Sequence, residues 1–218
     1  VTVTCFCPTQ GKRRAWLPQA IRCWESQTYQ DKRLLIVSDG EDISDLIPSD
    51  PRIQHVHLAA RPATAGDKFN RCVELCDTEI VCKWDDDDWS APGRLAEQMA
   101  RLLVSGKAVT GYNAMLFTDG RQWWRYPGPP NFALGTSLMF TRSWWSGHKF
   151  WSVQMGSDMM FQAAASAAKQ VASVDAGSMM VASVHTHFHT SMRITSHKPY
   201  VKLLHPPVIP GYAWSLAA

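Results

Sequence analysis

The chain has 218 residues and a mass of 24.4 kDa, with 45% hydrophobic and 19% charged residues. A chain of this size buries roughly 70% of its unfolded surface, so the composition describes a globular protein with a real core and excludes a disordered one. The formal charge is only +3, which is not basic enough to demand a nucleic-acid partner. No run of about 18 apolar residues is present, which excludes a hydrophobic membrane-spanning helix.

The opening VTVTCF alternates and is rich in β-formers, predicting a strand that ends at Pro8. Residues Arg13 to Ser26 place Trp16, Leu17, Ala20, Ile21, Cys23 and Trp24 at helical spacing. Leu34 to Val37 reads as a second strand closed by the turn Ser38-Asp39-Gly40, and Ile53 to Leu58 as a third. A helix follows from Asp67 to Cys76, then a strand from Glu79 to Trp84 that stops at four aspartates, then a helix from Pro92 to Ser105. This alternation of strand and helix predicts a mostly parallel, doubly wound sheet, whose ligands bind at the carboxyl ends of the strands.

Beyond residue 110 the pattern loosens. Val109 to Phe117 and Gly135 to Phe140 read as strands joined by a loop rich in Trp, Pro and Gly from Arg121 to Pro130. An Ala-rich helix is expected from Asp158 to Lys169, a short strand from Val181 to Val184, and a surface tail from His205 to Ala218. Met159-Met160 and Met179-Met180 are expected in the core. The tryptophans of Trp123-Trp124, Trp144-Trp145 and Trp151 suit either packing or a platform for an acceptor.

Charge is unevenly spread. Residues 1–110 carry 14 Lys/Arg against 16 Asp/Glu, whereas residues 111–218 carry 8 against 3 and hold six of the eight histidines. All six cysteines precede residue 83 without a short Cys-x-x-Cys pair, so they read as buried thiols of a reducing compartment. The first ten residues lack a basic and then apolar leader pattern, which adds to the expectation of a cytoplasmic location.

The run Asp85-Asp86-Asp87-Asp88 is the main chemical signal. Carboxylates two apart in an extended chain lie about 7 Å from one another. At an effective dielectric of about 20 each such pair repels by about 2.4 kcal/mol. The run follows an apolar strand and is bracketed by Trp84 and Trp89, so a divalent cation with a taste for hard oxygen ligands, magnesium or manganese, is expected to relieve the repulsion. In the second half the only carboxylates are Asp119, Asp158 and Asp175. Asp119-Gly120 is a turn signature and Asp175 precedes a Gly-containing loop, leaving Asp158, at a helix start, as the candidate base or helix cap. His185, His187 and His189 alternate near a strand end and offer metal ligands.

The segment Lys83-Trp84-Asp85-Asp86-Asp87-Asp88-Trp89-Ser90-Ala91-Pro92-Gly93-Arg94-Leu95 resembles the Asp-x-Asp region of family 2 glycosyltransferases. So do Cys7-Pro8-Thr9, Ser26-Gln27-Thr28-Tyr29, Leu35-Ile36-Val37-Ser38-Asp39-Gly40 and Gly66-Asp67-Lys68-Phe69-Asn70. Gly135-Thr136-Ser137, Gly156-Ser157-Asp158 and Val184-His185 with Thr190-Ser191 resemble later elements of a bacterial subgroup, in family order over roughly residues 1 to 195. Ser157 stands where that subgroup has Glu, and His189 where it has Asn.

The resemblance implies one domain of the GT-A fold over residues 1–218. Residues 1–110 would bind the nucleotide sugar and residues 111–218 would supply the acceptor side, the base and a tail. It implies Thr9 and Asp39 on the donor nucleoside, with Lys68, Asn70, Asp85 and Asp86 in the donor site and Asp85 toward the ribose. It implies a manganese or magnesium ion on Asp87 with His185 or His187, and Asp158 as the base that deprotonates a hydroxyl acceptor in an inverting single displacement. A uridine diphosphate sugar is the donor expected. The acceptor could be a saccharide or a polyanion, including a modified DNA base, and the oligomeric state stays open. Two other readings compete: nucleotidyl transfer to a sugar phosphate, for which Gly11-Lys12-Arg13-Arg14 offers a faint phosphate loop, and a sugar- or nucleotide-binding module with a dead site.

Overall fold

The structure is a computed structural model that describes residues 1–185 and 200–212. Four parallel strands, β1 (Val3–Gln10), β2 (Lys32–Asp39), β3 (Ile53–His57) and β4 (Ile80–Lys83), lie in the order β3-β2-β1-β4. Their side chains alternate between two buried faces. Cys5, Cys7, Leu34 and Ile36 face α1 (Leu17–Glu25) and α3 (Arg94–Ser105), while Phe6, Leu35 and Val37 face α2 (Ala65–Leu75) and α5 (Ser157–Ala167). Burial on both sides explains the apolar runs of β1, β2 and β4, whereas β3, at the end of the order, is only partly buried.

Helix α1 begins at Leu17 and not at Arg13. Pro18 lacks an N–H and is tolerated only in the first turn, so the helix cannot extend back through it. Gly11–Arg13 instead forms a single 3₁₀ turn directly after β1. Helix α2 starts two residues earlier than the apolar pattern indicates, because Thr64 caps it: its hydroxyl accepts from the Asp67 N–H and the Asp67 carboxylate accepts from the Thr64 N–H, both at 3.1 Å.

The second half is mixed rather than parallel. Strand β4 pairs antiparallel with β8 (Met139–Thr141), which pairs antiparallel with β6 (Val109–Thr118). The long β6 then carries β7 (Trp123–Pro127) antiparallel and β9 (Val171–Asp175) and β10 (Met180–Ser183) parallel. Two short pairings complete the sheet: β5 (Trp89–Ser90) on β10, and β11 (Val201–Lys202) on β7. The sheet thus runs without a break from the parallel strands into the basic half.

Several sequence expectations need correction. The loop expected over 121–130 contains β7, and a helix, α4 (Arg142–Gly147), stands where no element was expected. The expected strand Gly135–Phe140 opens as a 3₁₀ turn, Gly135–Ser137, pinned by the Ser137 hydroxyl donating to the Leu134 carbonyl at 2.8 Å. Met159 is 56% exposed and not in the core. The tail is not wholly superficial: Ile209 is buried and Tyr212 packs edge-on against Trp89 and Trp123. The six cysteines are free and buried, as expected. Among the described residues no helix is long and apolar enough to cross a membrane.

Because β1, β2 and β4 run parallel, their carboxyl ends meet at one edge of the sheet. That edge holds Thr9, Asp39 and the four aspartates.

Candidate active site

Each acid at this edge has its own partner. Asp39, the last residue of β2, is 3% exposed and pairs with the Lys68 ammonium at 2.6 Å. Lys68 reaches across from α2 and also donates to the Thr9 carbonyl, tying the ends of β1 and β2 together. Close packing shapes the turn after β1: a side chain at Gly11 would collide with Glu41.

The four aspartates point in different directions. Asp85 pairs with Lys83, the last residue of β4. Asp86 is 2% exposed and accepts the Thr9 hydroxyl at 2.5 Å and a two-pronged grip from Arg13, with Nε at 2.9 Å and Nη2 at 2.6 Å. The same Arg13 Nη2 lies 2.6 Å from Asp87, whose Oδ2 is also 3.1 Å from His185 Nε2. Asp88 turns inward, accepting the Thr136 hydroxyl and, at 2.8 Å, the Ser183 N–H.

The repulsion inferred from sequence is therefore relieved largely by the protein's own cations and hydrogen bonds. Burial lowers the Lys83 ammonium, but Asp85, Asp158 and Asp88 outweigh it and hold the group above its ordinary value. Burial raises the Asp87 carboxyl, yet Arg13 and His185 bring it down to about 2. Asp88 goes the other way, because burial, Asp87 and Asp85 all push its carboxyl well up. Among the described residues Lys68, Lys83 and Arg13 face Asp39, Asp85, Asp86 and Asp87, with Arg13 shared between Asp86 and Asp87.

Arg13 is the principal site residue that sequence reasoning missed. It is 8% exposed, stacks on Trp16 at 4.9 Å, and Trp16 in turn lies 4.4 Å from the His185 ring. The signal was the basic run directly after the first strand. Arg94 was missed as a scaffold. It is 1% exposed over the Trp84 ring and donates to the carbonyls of Lys83 (3.1 Å) and Thr136 (3.3 Å), fixing the acidic segment against the 135–137 turn.

Asp158 is the second residue of α5, and its Oδ1 accepts from the Met159 N–H at 2.8 Å. A Cβ at Gly135 would overlap its carboxylate, so the bare glycine makes room for it. Asn70 is not brought to the aspartates. Its amide holds the 145–150 segment, donating to the Phe150 carbonyl at 2.8 Å and accepting from the Phe150 N–H and the Trp145 indole, both at 3.0 Å. His187 and His189 lie outside the described residues.

Among the described residues no three His, Cys, Asp or Glu side chains converge on one point. Asp87 and His185 nonetheless suit a small divalent cation. Neighbouring ligands of an octahedral ion with ~2.1 Å bonds stand ~3.0 Å apart, and Asp87 Oδ2 and His185 Nε2 stand 3.1 Å apart. Two such donors leave room for further oxygens, such as those of a diphosphate.

The profile of glycosyl transferase family 2 matches residues 5–163. No curated protein matches the chain. Among solved structures, residues 1–349 of TarS from S. aureus in complex with UDP-GlcNAc superpose with a TM-score of 0.71 at 13% identity, over 87% of this chain and 60% of that one. The same protein with UDP gives 0.67 at 13% identity, over 84% and 61%. The mannosyltransferase PcManGT from Pyrobaculum calidifontis, in complex with GDP-Man and Mn2+, gives 0.65 at 15% identity, over 85% and 57%. The chain spans about three fifths of the length of these structures. At such identity the likeness is one of fold, the GT-A arrangement of a large mixed sheet with its helices.

Proposed function

The chain belongs to glycosyl transferase family 2, and on that premise we propose that it moves a sugar from a nucleoside-diphosphate sugar to a hydroxyl acceptor by a single inverting displacement. One observation carries the reading. Acids and cations from the ends of β1, β2 and β4 meet at one sheet edge, and Asp158, on a different element, packs against Gly135, whose neighbour Thr136 donates to Asp88. This arrangement supports a donor and a base in one common site.

Thr9 and Asp39 would face the donor nucleoside, with Asp39 held in place by Lys68. Asp85 would turn to the ribose. Asp86 serves chiefly to anchor Arg13 and Thr9. Asp87 and His185 would hold manganese or magnesium, which when bound offsets the charge of the leaving diphosphate. Asp158 accepts the acceptor's hydroxyl proton as that oxygen bonds to the sugar's anomeric carbon and the bond from that carbon to the diphosphate oxygen breaks. The products are the glycoside, a nucleoside diphosphate and a protonated Asp158. One assigned base and no assigned carboxylate nucleophile favour inversion. A uridine donor is supported by the TarS complexes, although the mannosyltransferase binds a guanosine one.

The test is a panel of UDP- and GDP-sugars assayed for transfer or hydrolysis with the wild type and Asp158→Asn. Loss of the base should lower turnover by about 10²- to 10⁴-fold, while donor affinity changes less than about threefold. Turnover unchanged in Asp158→Asn contradicts the base assignment, and a chain that binds donors without turning any over is a binding module.

A further inference from the structure

Asp87 has two claims on it. The geometry that fits it for a divalent cation also places the Arg13 guanidinium 2.6 Å from the same oxygen. Arg13 is not a passing surface contact: it is 8% exposed, gripped by Asp86 through two nitrogens and stacked on Trp16. A guanidinium keeps its charge at any working pH. A divalent cation arriving at Asp87 alone therefore meets a fixed positive charge at its own ligand, in a buried setting where water screens little.

We propose that Arg13 is a built-in competitor for the divalent cation at Asp87, so that the cation binds weakly by itself and strongly only together with the nucleotide diphosphate. The inference rests on the reading of Asp87 and His185 as the cation end of a nucleotide-sugar site. Nucleotide brings the negative charge that lets guanidinium and metal ion coexist, the ion at Asp87 and His185, Arg13 between Asp86 and the incoming phosphates. By linkage the effect is mutual: whatever the nucleotide adds to cation affinity, the cation adds to nucleotide affinity. Arg13 would thus keep the site from filling with free metal and would load donor and ion as one unit.

The experiment measures Mn2+ binding by the free-ion electron paramagnetic resonance signal, without nucleotide and with saturating UDP or GDP. The proteins are the wild type, Arg13→Gln, Arg13→Met and Arg13→Lys. The methionine keeps an apolar stem against Trp16 should the glutamine variant not fold, and circular dichroism reports folding for each. Without nucleotide, either neutral variant should bind Mn2+ at least tenfold more tightly than the wild type, while Arg13→Lys stays within threefold of it. The gain in Mn2+ affinity on adding nucleotide should shrink by the same factor in the neutral variants. Equal or weaker nucleotide-free Mn2+ binding in a folded neutral variant overturns the proposal for Arg13 and leaves the site reading intact. Absence of Mn2+ binding in every protein, with either nucleotide, overturns both.

Discussion

Replacing Lys68 by methionine tests whether internal ion pairs hold the donor edge together. The Lys68 ammonium is buried, 2.6 Å from an Asp39 carboxylate that is itself 3% exposed, and it also satisfies the Thr9 carbonyl. Methionine fills much the same space but strands a buried charge and a buried carbonyl. Removing one partner of a buried pair costs about 3–5 kcal/mol, which in a chain of this size is a fall in Tm of ~6–20 °C. Asp39→Asn in the same background removes the stranded charge and should restore much of the loss. Urea unfolding of the wild type, both single variants and the double variant gives the coupling energy, expected at about 1–3 kcal/mol. A Lys68→Met protein within about 1 kcal/mol of wild type, or strictly additive effects in the cycle, refutes the idea that this pair fastens β1 to β2.

Gly135→Ala places a Cβ on the Asp158 carboxylate, so turnover should fall at least tenfold with nucleotide affinity nearly unchanged; normal turnover in a steady-state assay contradicts that packing. Asp88→Asn probes pH dependence in chelated buffer. Burial, Asp87 and Asp85 raise the Asp88 carboxyl in the folded protein, so the folded state binds its proton more tightly and its ionisation weakens folding at neutral pH. That weakness fades as pH falls through the folded pKa toward the unfolded value of about 3.9. The variant should therefore melt above wild type at about pH 8, with the gap closing toward about pH 4.5; a constant gap contradicts the shift. Thr64→Ala removes the cap of α2 and should cost about 1 kcal/mol in urea unfolding, while no loss means another group satisfies the Asp67 N–H.

The parallel half was legible because its signals are local. Strands buried on both faces are short apolar runs, and α2 and α3 show helical spacing in the sequence itself. Strand β7 was hidden since Trp123-Trp124-Arg125-Tyr126-Pro127 gains its conformation from the ladder with β6 and shows no alternation of its own. Asp39 and Asp85 to Asp88 could be placed at strand ends from sequence. Two of their counter-ions could not, because Lys68 and Arg13 meet Asp39 and Asp86 through tertiary contacts 29 and 73 residues apart, whereas Lys83 stands only two residues from Asp85. Crowded carboxylates call for cations, and Arg13, Lys68 and Lys83 of the chain itself answer much of that need. Arg13 sits at helical spacing with Trp16 and Leu17 in the sequence, yet Pro18 makes α1 begin at Leu17 and leaves Arg13 in the preceding 3₁₀ turn.

Whether the Asp87–His185 corner receives a metal ion shared with a nucleotide diphosphate can be measured directly. Crystals grown with Mn2+ and either UDP or GDP, measured at the manganese absorption edge, test it directly. The expected result is an anomalous peak within about 2.3 Å of both the Asp87 carboxylate and His185 Nε2, with diphosphate oxygens filling other positions. Nucleotide bound with no anomalous peak at that corner, or bound away from Asp39 and Asp85, contradicts it.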